Sequence, residues 1–156
     1  MNVRNIREDE IETLVDDLWV PFAAEMADLD SYNEVADEVR ESALTYRRDH
    51  LADDDVATFV ADADGPIAGY AVVVSGDSPP VFARGPEATL EELYVVPAHR
   101  GEGIATALMD RAEGWAADRG CDYITLSVNA SNDSAAALYE SSGYAVRRHK
   151  MDKPLE

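Results

Sequence analysis

The stretch of sequence that decides the fold is Ala88-Thr-Leu-Glu-Glu-Leu-Tyr-Val-Val-Pro-Ala-His-Arg-Gly-Glu-Gly-Ile-Ala-Thr-Ala-Leu-Met109. Its first half is rich in apolar and aromatic residues, which favours a buried strand. Pro97 ends that strand, because proline has no N–H to donate to a neighbouring strand. The second half begins with a turn at Gly101 and Gly103 and continues with apolar residues at helical spacing. The stretch therefore predicts a strand, a glycine turn and a helix.

The glycine turn has the properties of an anion-binding site. Glycine lets the backbone turn sharply and leaves no Cβ in the path of a ligand. The helix that follows directs unpaired N–H groups and the positive end of its dipole at the turn. The turn is therefore a place where phosphate can be held.

The order of residues around the turn resembles the acetyl-CoA signature of the GNAT superfamily of N-acetyltransferases. That signature, (Gln/Arg)-x-x-Gly-x-(Gly/Ala), falls on Arg100, Gly103 and Ala105. Further along, Asn132-x6-Tyr139-Glu-x-x-Gly143-Tyr144 looks like the Asn…Leu-Tyr-Glu-x-x-Gly-Phe segment of the same superfamily. Similarity of motifs covers residues 93–144, whereas the N-terminal third, which usually shapes the acceptor site, carries no usable motif.

The resemblance implies an α/β fold of the α+β kind, the GNAT fold, with residues 1–156 as a single N-acetyltransferase domain. A central mixed, mostly antiparallel twisted sheet of six to seven strands is expected, flanked by about four helices. Hydrophobic periodicity and turn residues predict the remaining elements. The further strands are expected at residues 2–6, 56–60, 67–74, 123–128 and 144–148, and the further helices from residue 9, at 33–51 and at 133–142.

The first two predicted helices contain a proline and a pair of arginines at positions that affect their structure or surface. Pro21 is expected to kink or interrupt the first helix. Arg47-Arg48 is interpreted as the solvated end of the second helix, with contact to a substrate as the alternative.

The composition is strongly acidic, since 32 Asp and Glu residues against 13 Lys and Arg residues give a formal net charge of −19. Such a surface argues against nucleic acid or an anionic membrane as a partner. Two interpretations remain: a haloarchaeal-like chain adapted to a salt-rich cytoplasm, where ions screen the repulsion, or an acidic face for a cationic substrate. Acidic residues along the whole length favour the first. With no secretory or long apolar segment evident, a cytoplasmic protein is expected.

The resemblance also implies acetyl-CoA as the acyl donor, with no metal. It assigns the pantetheine arm to the backbone of Leu93, Tyr94 and Val95, which would pair with it as an added strand does. Arg100 either adds positive charge near a phosphate or is only a surface residue at the end of the strand. Asn132 caps a helix or bonds to the pantetheine chain, and the resemblance implies the latter. The pyrophosphate is assigned to backbone N–H groups of the turn, which consists of Gly101, Glu102, Gly103, Ile104, Ala105 and Thr106.

Acyl transfer from a thioester to an amine needs a neutral amine, a stabilised oxyanion and a proton for the leaving thiolate. Tyr139 is the candidate general acid, because a phenol has a pKa near ~10, close to that of an alkyl thiol. Glu91 and Glu92 on the central strand are candidates for the base. Side chains alternate along a strand, so only one of the two should face the cleft unless a bulge intervenes. We favour Glu91, acting through water.

These residues predict an enzyme that moves an acetyl group from acetyl-CoA to a primary amine by direct transfer in a ternary complex. The alternative is a non-catalytic acyl-CoA sensor or interaction module, which would need the turn but not Tyr139. A dinucleotide-dependent dehydrogenase is disfavoured, because Thr106 stands where its Gly-x-Gly-x-x-Gly/Ala motif needs a small residue. The acceptor stays open between a small-molecule amine and a protein or peptide amine, and a homodimer is possible.

Overall fold

The computed structural model describes residues 1–155, and its centre is a five-stranded sheet in the order β1-β2-β3-β4-β5. Neighbouring strands from β1 to β4 are antiparallel, whereas β4 and β5 run parallel. The sheet is therefore mixed, as expected. The strands are β1 (Asn2–Asn5), β2 (Val56–Asp62), β3 (Ile67–Gly76), β4 (Glu87–Val95) and β5 (Tyr123–Thr125).

Four helical units flank this sheet. The first is continuous and consists of α1 (Ile11–Thr13), a π-helical segment (Leu14–Trp19) and α2 (Val20–Leu29). The others are α3 (Arg40–Ala52), α4 (Ile104–Asp118) and α5 (Asp133–Ser141). Pro21 was expected to kink or interrupt the first helix, but the unit is continuous. Proline has no N–H to donate to a preceding carbonyl, and the π-helical segment just before it shifts the backbone hydrogen bonds from the usual i→i−4 spacing to i→i−5. In residues 1–155 no helix is long and apolar enough to cross a membrane.

The predicted count of six to seven strands is wrong, since the sheet has five. The strand predicted at 144–148 does not form, and the one predicted at 123–128 is reduced to β5. An alternating pattern reports a preference for extended backbone, but a strand also needs a hydrogen-bonding neighbour. Within residues 1–155 no strand pairs with 144–148.

The second helix begins later than predicted, at Arg40 rather than near Asn33. Residues Ser31–Asn33 instead form a separate 3₁₀ turn, with Tyr32 N–H donating to the Asp30 side chain. Glu38 has a φ of +56°, which is incompatible with a continuous right-handed helix.

The sheet separates two apolar clusters. On one face, β2, β3 and β4 pack against α4 through residues that include Phe59, Leu90, Leu108 and Met109. On the other face, the first helical unit and α3 cover Tyr70, Val72 and Tyr94. Each face of β4 therefore contacts a different set of helices, and this arrangement determines what each of its side chains meets.

Candidate active site

The sheet splits beside β4. β5 pairs with β4 only at residues 87–89, opposite 123–125. Beyond Thr89, β4 continues to Val95 while β5 has ended, so residues 90–95 have no strand on this edge in the described chain. Leu93, Tyr94 and Val95 thus lie where an extended ligand chain could add as a further strand.

The glycine turn lies next to this split and is open to solvent. Gly101 and Gly103 both have φ of +81°, a region that favours glycine. No heavy atom lies within 4 Å of the Cβ that either residue would carry, so the approach to the backbone is unobstructed. Gly103 is the N-cap of α4 and provides no side-chain cap. The first N–H groups of the helix, those of Ile104, Ala105 and Thr106, therefore have no intrahelical acceptor.

Two charged side chains of the turn already have partners. Arg100 Nε donates to Val95 O at 2.9 Å, and its guanidinium bonds to both Glu25 carboxylate oxygens at 2.9 and 3.0 Å. Glu102 lies 3.2 Å from His99 Nδ1. Arg100 thus fastens the turn to β4 and α2, and it occupies the Val95 carbonyl that was expected to pair with the pantetheine arm.

A β-bulge places both glutamates of β4 on the same face. Leu90 pairs with Val73 and Glu92 with Val72, which leaves Glu91 as the extra residue. Before the bulge, Leu90 faces α4, and strict alternation would direct Glu92 to that face as well. The extra residue shifts the alternation of the side chains that follow it, so that Glu92 faces α3, as Glu91 does.

The two glutamates nevertheless have different surroundings. The Glu92 carboxylate accepts hydrogen bonds from Arg47 Nη1 at 2.6 Å, from Arg47 Nη2 at 2.7 Å and from the Tyr70 hydroxyl at 2.7 Å. Burial and the Glu92 charge raise the pKa of Tyr70, so its phenol stays protonated and donates. Glu91 is exposed and its carboxylate has no hydrogen-bond or ion-pair partner within residues 1–155.

Arg47 belongs to this cluster, and the sequence analysis did not predict its burial. Its interpretation as a solvated helix end is wrong, because the side chain is only 2% exposed. Its planar group lies 5.2 Å from the Tyr46 ring centre and 5.7 Å from that of Tyr70. A signal was available: Arg47 follows Ala43 by four positions, and is therefore on the buried face of the helix.

Arg47 and Glu92 form part of the wall of a cavity of about 610 Å³ between the first helical unit and α3. Nearby, burial raises the pKa of Tyr46, and the charges of Glu91 and Glu92 raise it further. Burial, followed by the Arg47 charge, lowers the pKa of His50. The other lining residues are Trp19, Phe22, Ala23, Met26, Asn33, Val35, Val39, Ser42, Ala43 and Tyr46.

Tyr139 belongs to α5 and Asn132 is the N-cap of that helix, which lies on the opposite face of the sheet. Tyr139 packs against the α4-side cluster, as do Leu93 and Ala105, and its ring meets that of Tyr144 edge-on at 6.1 Å. Burial raises the pKa of Tyr139, whose hydroxyl makes no hydrogen bond within residues 1–155. Asn132 Oδ1 accepts from Ala135 N–H at 3.2 Å and so caps α5, with the amide Nδ2 left as a donor.

The split in the sheet thus connects two half-sites. Tyr139 lies on the α4 face, the glycine turn lies at the end of β4, and the glutamates and the cavity lie on the α3 face. A ligand inserted along the open edge of β4 could reach both faces.

Comparison with known proteins identifies the family. A model described as the acetyltransferase (GNAT) family matches residues 12–144. Since this match covers most of the chain, the protein belongs to the GNAT acetyltransferase family.

Curated relatives match over part of their length. An uncharacterized N-acetyltransferase of Mycobacterium tuberculosis (strain H37Rv) is 35% identical over 98 residues, covering 63% of this chain and 58% of the relative. Streptothricin acetyltransferase of Streptomyces lavendulae is 38% identical over 94 residues, covering 60% of this chain and 47% of the relative. The match spans less than two thirds of either relative.

Solved structures match over nearly the entire chain. A variant of the BH1408 protein from Bacillus halodurans has a TM-score of 0.89 at 20% identity, with 100% of both chains covered. A predicted acetyltransferase with acetyl-CoA from Clostridium acetobutylicum has a TM-score of 0.77 at 21% identity, covering 98% of this chain and 95% of the other. At such identities the likeness establishes the fold.

Proposed function

We propose that this protein is an acetyl-CoA-dependent N-acetyltransferase that moves the acetyl group directly to a primary amine in a ternary complex. The observation that carries the proposal is the split beside β4, which has an open glycine turn at one end and a cavity bordered by glutamate on the opposite face. Direct transfer needs two ligands to meet at one place, and a gap in the sheet allows that. The acetyl-CoA of the similar Clostridium acetobutylicum structure supports the choice of donor.

The chain offers suitable groups to an acyl-CoA. The free N–H groups from Gly101 to Thr106 and the positive end of the α4 dipole suit a pyrophosphate. The unpaired edge at Leu93 and Tyr94 suits the amide groups of a pantetheine arm, and Asn132 Nδ2 is a further donor. Bound acetyl-CoA supplies the thioester that is the source of the acetyl group.

Three side chains have roles in the reaction that we propose. Glu91, which has no partner of its own, accepts the proton of the acceptor ammonium through a water molecule. The neutral amine nitrogen then bonds to the acetyl carbon, and the carbon–sulfur bond breaks as Tyr139 gives its proton to the departing sulfur. The nitrogen loses its remaining extra proton to solvent, from which the Tyr139 phenolate is protonated again, so that the products are the amide and the free thiol. Glu92 is engaged by Arg47 and Tyr70, and so forms a fixed wall rather than the base.

The test measures thiol release from acetyl-CoA with a panel of primary amines, together with calorimetric binding of acetyl-CoA. Gly103→Val places a branched side chain in the open approach to the turn and should abolish binding and turnover. Gly120→Val is the matched control, because Gly120 has a φ of +77° and equally open surroundings beyond the other end of α4. Both variants bear a similar backbone strain of ~1–2 kcal/mol, so only a specific loss in Gly103→Val supports the proposal.

Two outcomes would overturn it. A folded Gly103→Val variant that binds acetyl-CoA like the wild type would remove the turn from the donor site. Tight acetyl-CoA binding without turnover of any amine would favour the non-catalytic sensor.

A further inference from the structure

The cavity beside Glu92 also indicates what kind of amine is acetylated. Resting on the proposed function, we propose that the acceptor is a small monoamine: one primary ammonium group on an apolar or aromatic body. Polyamines and other polycations are disfavoured, because the described residues of the wall offer no free carboxylate to a second ammonium group.

The lining of the cavity is mainly apolar. Trp19 and Phe22 extend from the first helical unit and Tyr46 extends from α3, so that aromatic rings approach from two sides. Part of this surface is uncovered, since Tyr46 is 47% exposed and Val35 is 49% exposed. Cavities of this size, within the usual ~300–1,000 Å³, hold small ligands chiefly through apolar contact. The body of the acceptor should therefore be apolar.

The charges in the lining are already balanced. Among the described residues that line the cavity, Glu92 is the only carboxylate and Arg47 the only cation. Both carboxylate oxygens are bonded to Arg47, at 2.6 and 2.7 Å. The remaining polar groups of the lining are neutral: Asn33, Ser42, the Tyr46 hydroxyl and the Trp19 indole N–H. A second ammonium group inside this cavity would find no free counter-charge, and an unpaired buried charge is costly.

The free acidic groups lie at the edge instead. Glu34, Asp37 and Glu38 are exposed and are interleaved in sequence with the lining residues Val35 and Val39. Their field attracts a cation to the entrance without pairing with it inside. One ammonium group is compatible with this arrangement, because Glu91 removes its proton during the reaction.

The experiment compares two probes with the same six-carbon chain, hexylamine and 1,6-diaminohexane, which differ by the second ammonium group on the far end of the diamine. Thiol release with acetyl-CoA gives kcat/KM for each, and titration of the CoA-bound protein gives each dissociation constant. We expect hexylamine to be preferred by about 10- to 100-fold in both measurements, because the far end of the diamine would be desolvated without a partner.

A second variant tests the cause of the preference. Val35→Glu places a carboxylate in the wall and should reduce the preference for hexylamine by about tenfold, by giving the second ammonium group a partner. Val81→Glu is the control, since it adds the same charge at a loop residue that is 85% exposed and outside the cavity lining. It should leave the preference unchanged.

The outcomes separate this inference from the proposed function. Turnover with the diamine preferred, or an equal effect of both variants, would overturn the inference alone. No turnover of either amine, with hexylamine still bound more tightly, would overturn the proposed function and leave the cavity preference standing.

Discussion

The donor side and the acceptor side of β4 are built in different ways. The donor side consists of backbone: an unpaired strand edge and the N–H groups of a turn, all within residues 93–106. The acceptor side consists of side chains from distant segments, such as Arg47 on Glu92, which are 45 residues apart in sequence. A site made of backbone can be recognised from a short motif, whereas a site made of side chains exists only after the helices have packed on the sheet.

The two sides also differ in how their charges are arranged. The turn offers free N–H groups, while the cavity has an arginine and a glutamate that neutralise each other. The side that we propose for the donor therefore suits an anion, and the side that we propose for the acceptor suits a body with little charge.

Tyr139→Phe should separate the chemical step from donor binding. Removal of the phenol should lower kcat by on the order of 10²- to 10⁴-fold with nearly unchanged affinity for acetyl-CoA, because the proton is needed only as sulfur leaves. Burial raises the pKa of Tyr139, so the wild type should not lose activity to ionisation of this group near neutral pH. The measurement is the pH–rate profile at saturating acetyl-CoA.

Tyr144→Phe is the control for that variant. It removes the hydroxyl that bonds to Glu113 at 2.9 Å, beside the same cluster, and should leave kcat unchanged. A Tyr139→Phe enzyme within about threefold of the wild type would make Tyr139 a packing residue.

Arg47→Ala should destabilise the acceptor side strongly. It leaves the Glu92 carboxylate largely buried without its counter-charge, which costs about 3–5 kcal/mol of unfolding free energy. Arg40→Ala removes a bidentate pair with Asp16 that is exposed to solvent, and should therefore cost much less. Urea denaturation of both variants measures the difference, and equal losses would contradict a structural role for the Arg47–Glu92 pair.

Glu91→Gln should affect the rate most at modest pH. The acceptor amine is then protonated and needs the base, so we expect a loss of on the order of 10- to 100-fold near pH 7. Raising the pH toward 10 should restore much of the rate, because solvent then deprotonates the amine. The same shift should not rescue Tyr139→Phe, since the acid is needed at every pH. A Glu91→Gln profile parallel to that of the wild type would remove Glu91 as the base.

Salt should have smaller effects, of opposite sign on the two sides. With a formal net charge of −19, the chain repels an anionic donor and attracts a cationic acceptor in dilute buffer. From tens of millimolar to molar potassium chloride, we expect acetyl-CoA affinity to rise several-fold and the KM for a monoamine to rise modestly.

The melting temperature should rise over the same range of potassium chloride if the acidic surface is an adaptation to salt. A flat melting temperature would contradict that adaptation and favour a cationic-substrate face.

Most of the elements could be predicted from local patterns. Asp64-Gly65, a dipeptide typical of hairpin turns, lies between β2 and β3 and has positive φ at both residues. The helix at 133–142 was predicted to within one residue, because Asn132 caps its start and Gly143, with a φ of +96°, follows its end. These features depend on the conformational preferences of neighbouring residues, which a sequence displays directly. That residues 1–156 form one domain, and that the protein is cytoplasmic or dimeric, remain predictions.

The sequence by itself determined the strand, glycine turn and helix around Gly103, and with them the family, because that arrangement depends on backbone freedom within a few residues. Tertiary structure alone decided that β5 ends early, that a bulge directs Glu92 away from α4, and that the partner of Arg47 is Glu92. These outcomes depend on which strand supplies a hydrogen-bonding partner and which helix covers a given face. Both are long-range relations, and neither is visible in the periodicity of a single segment.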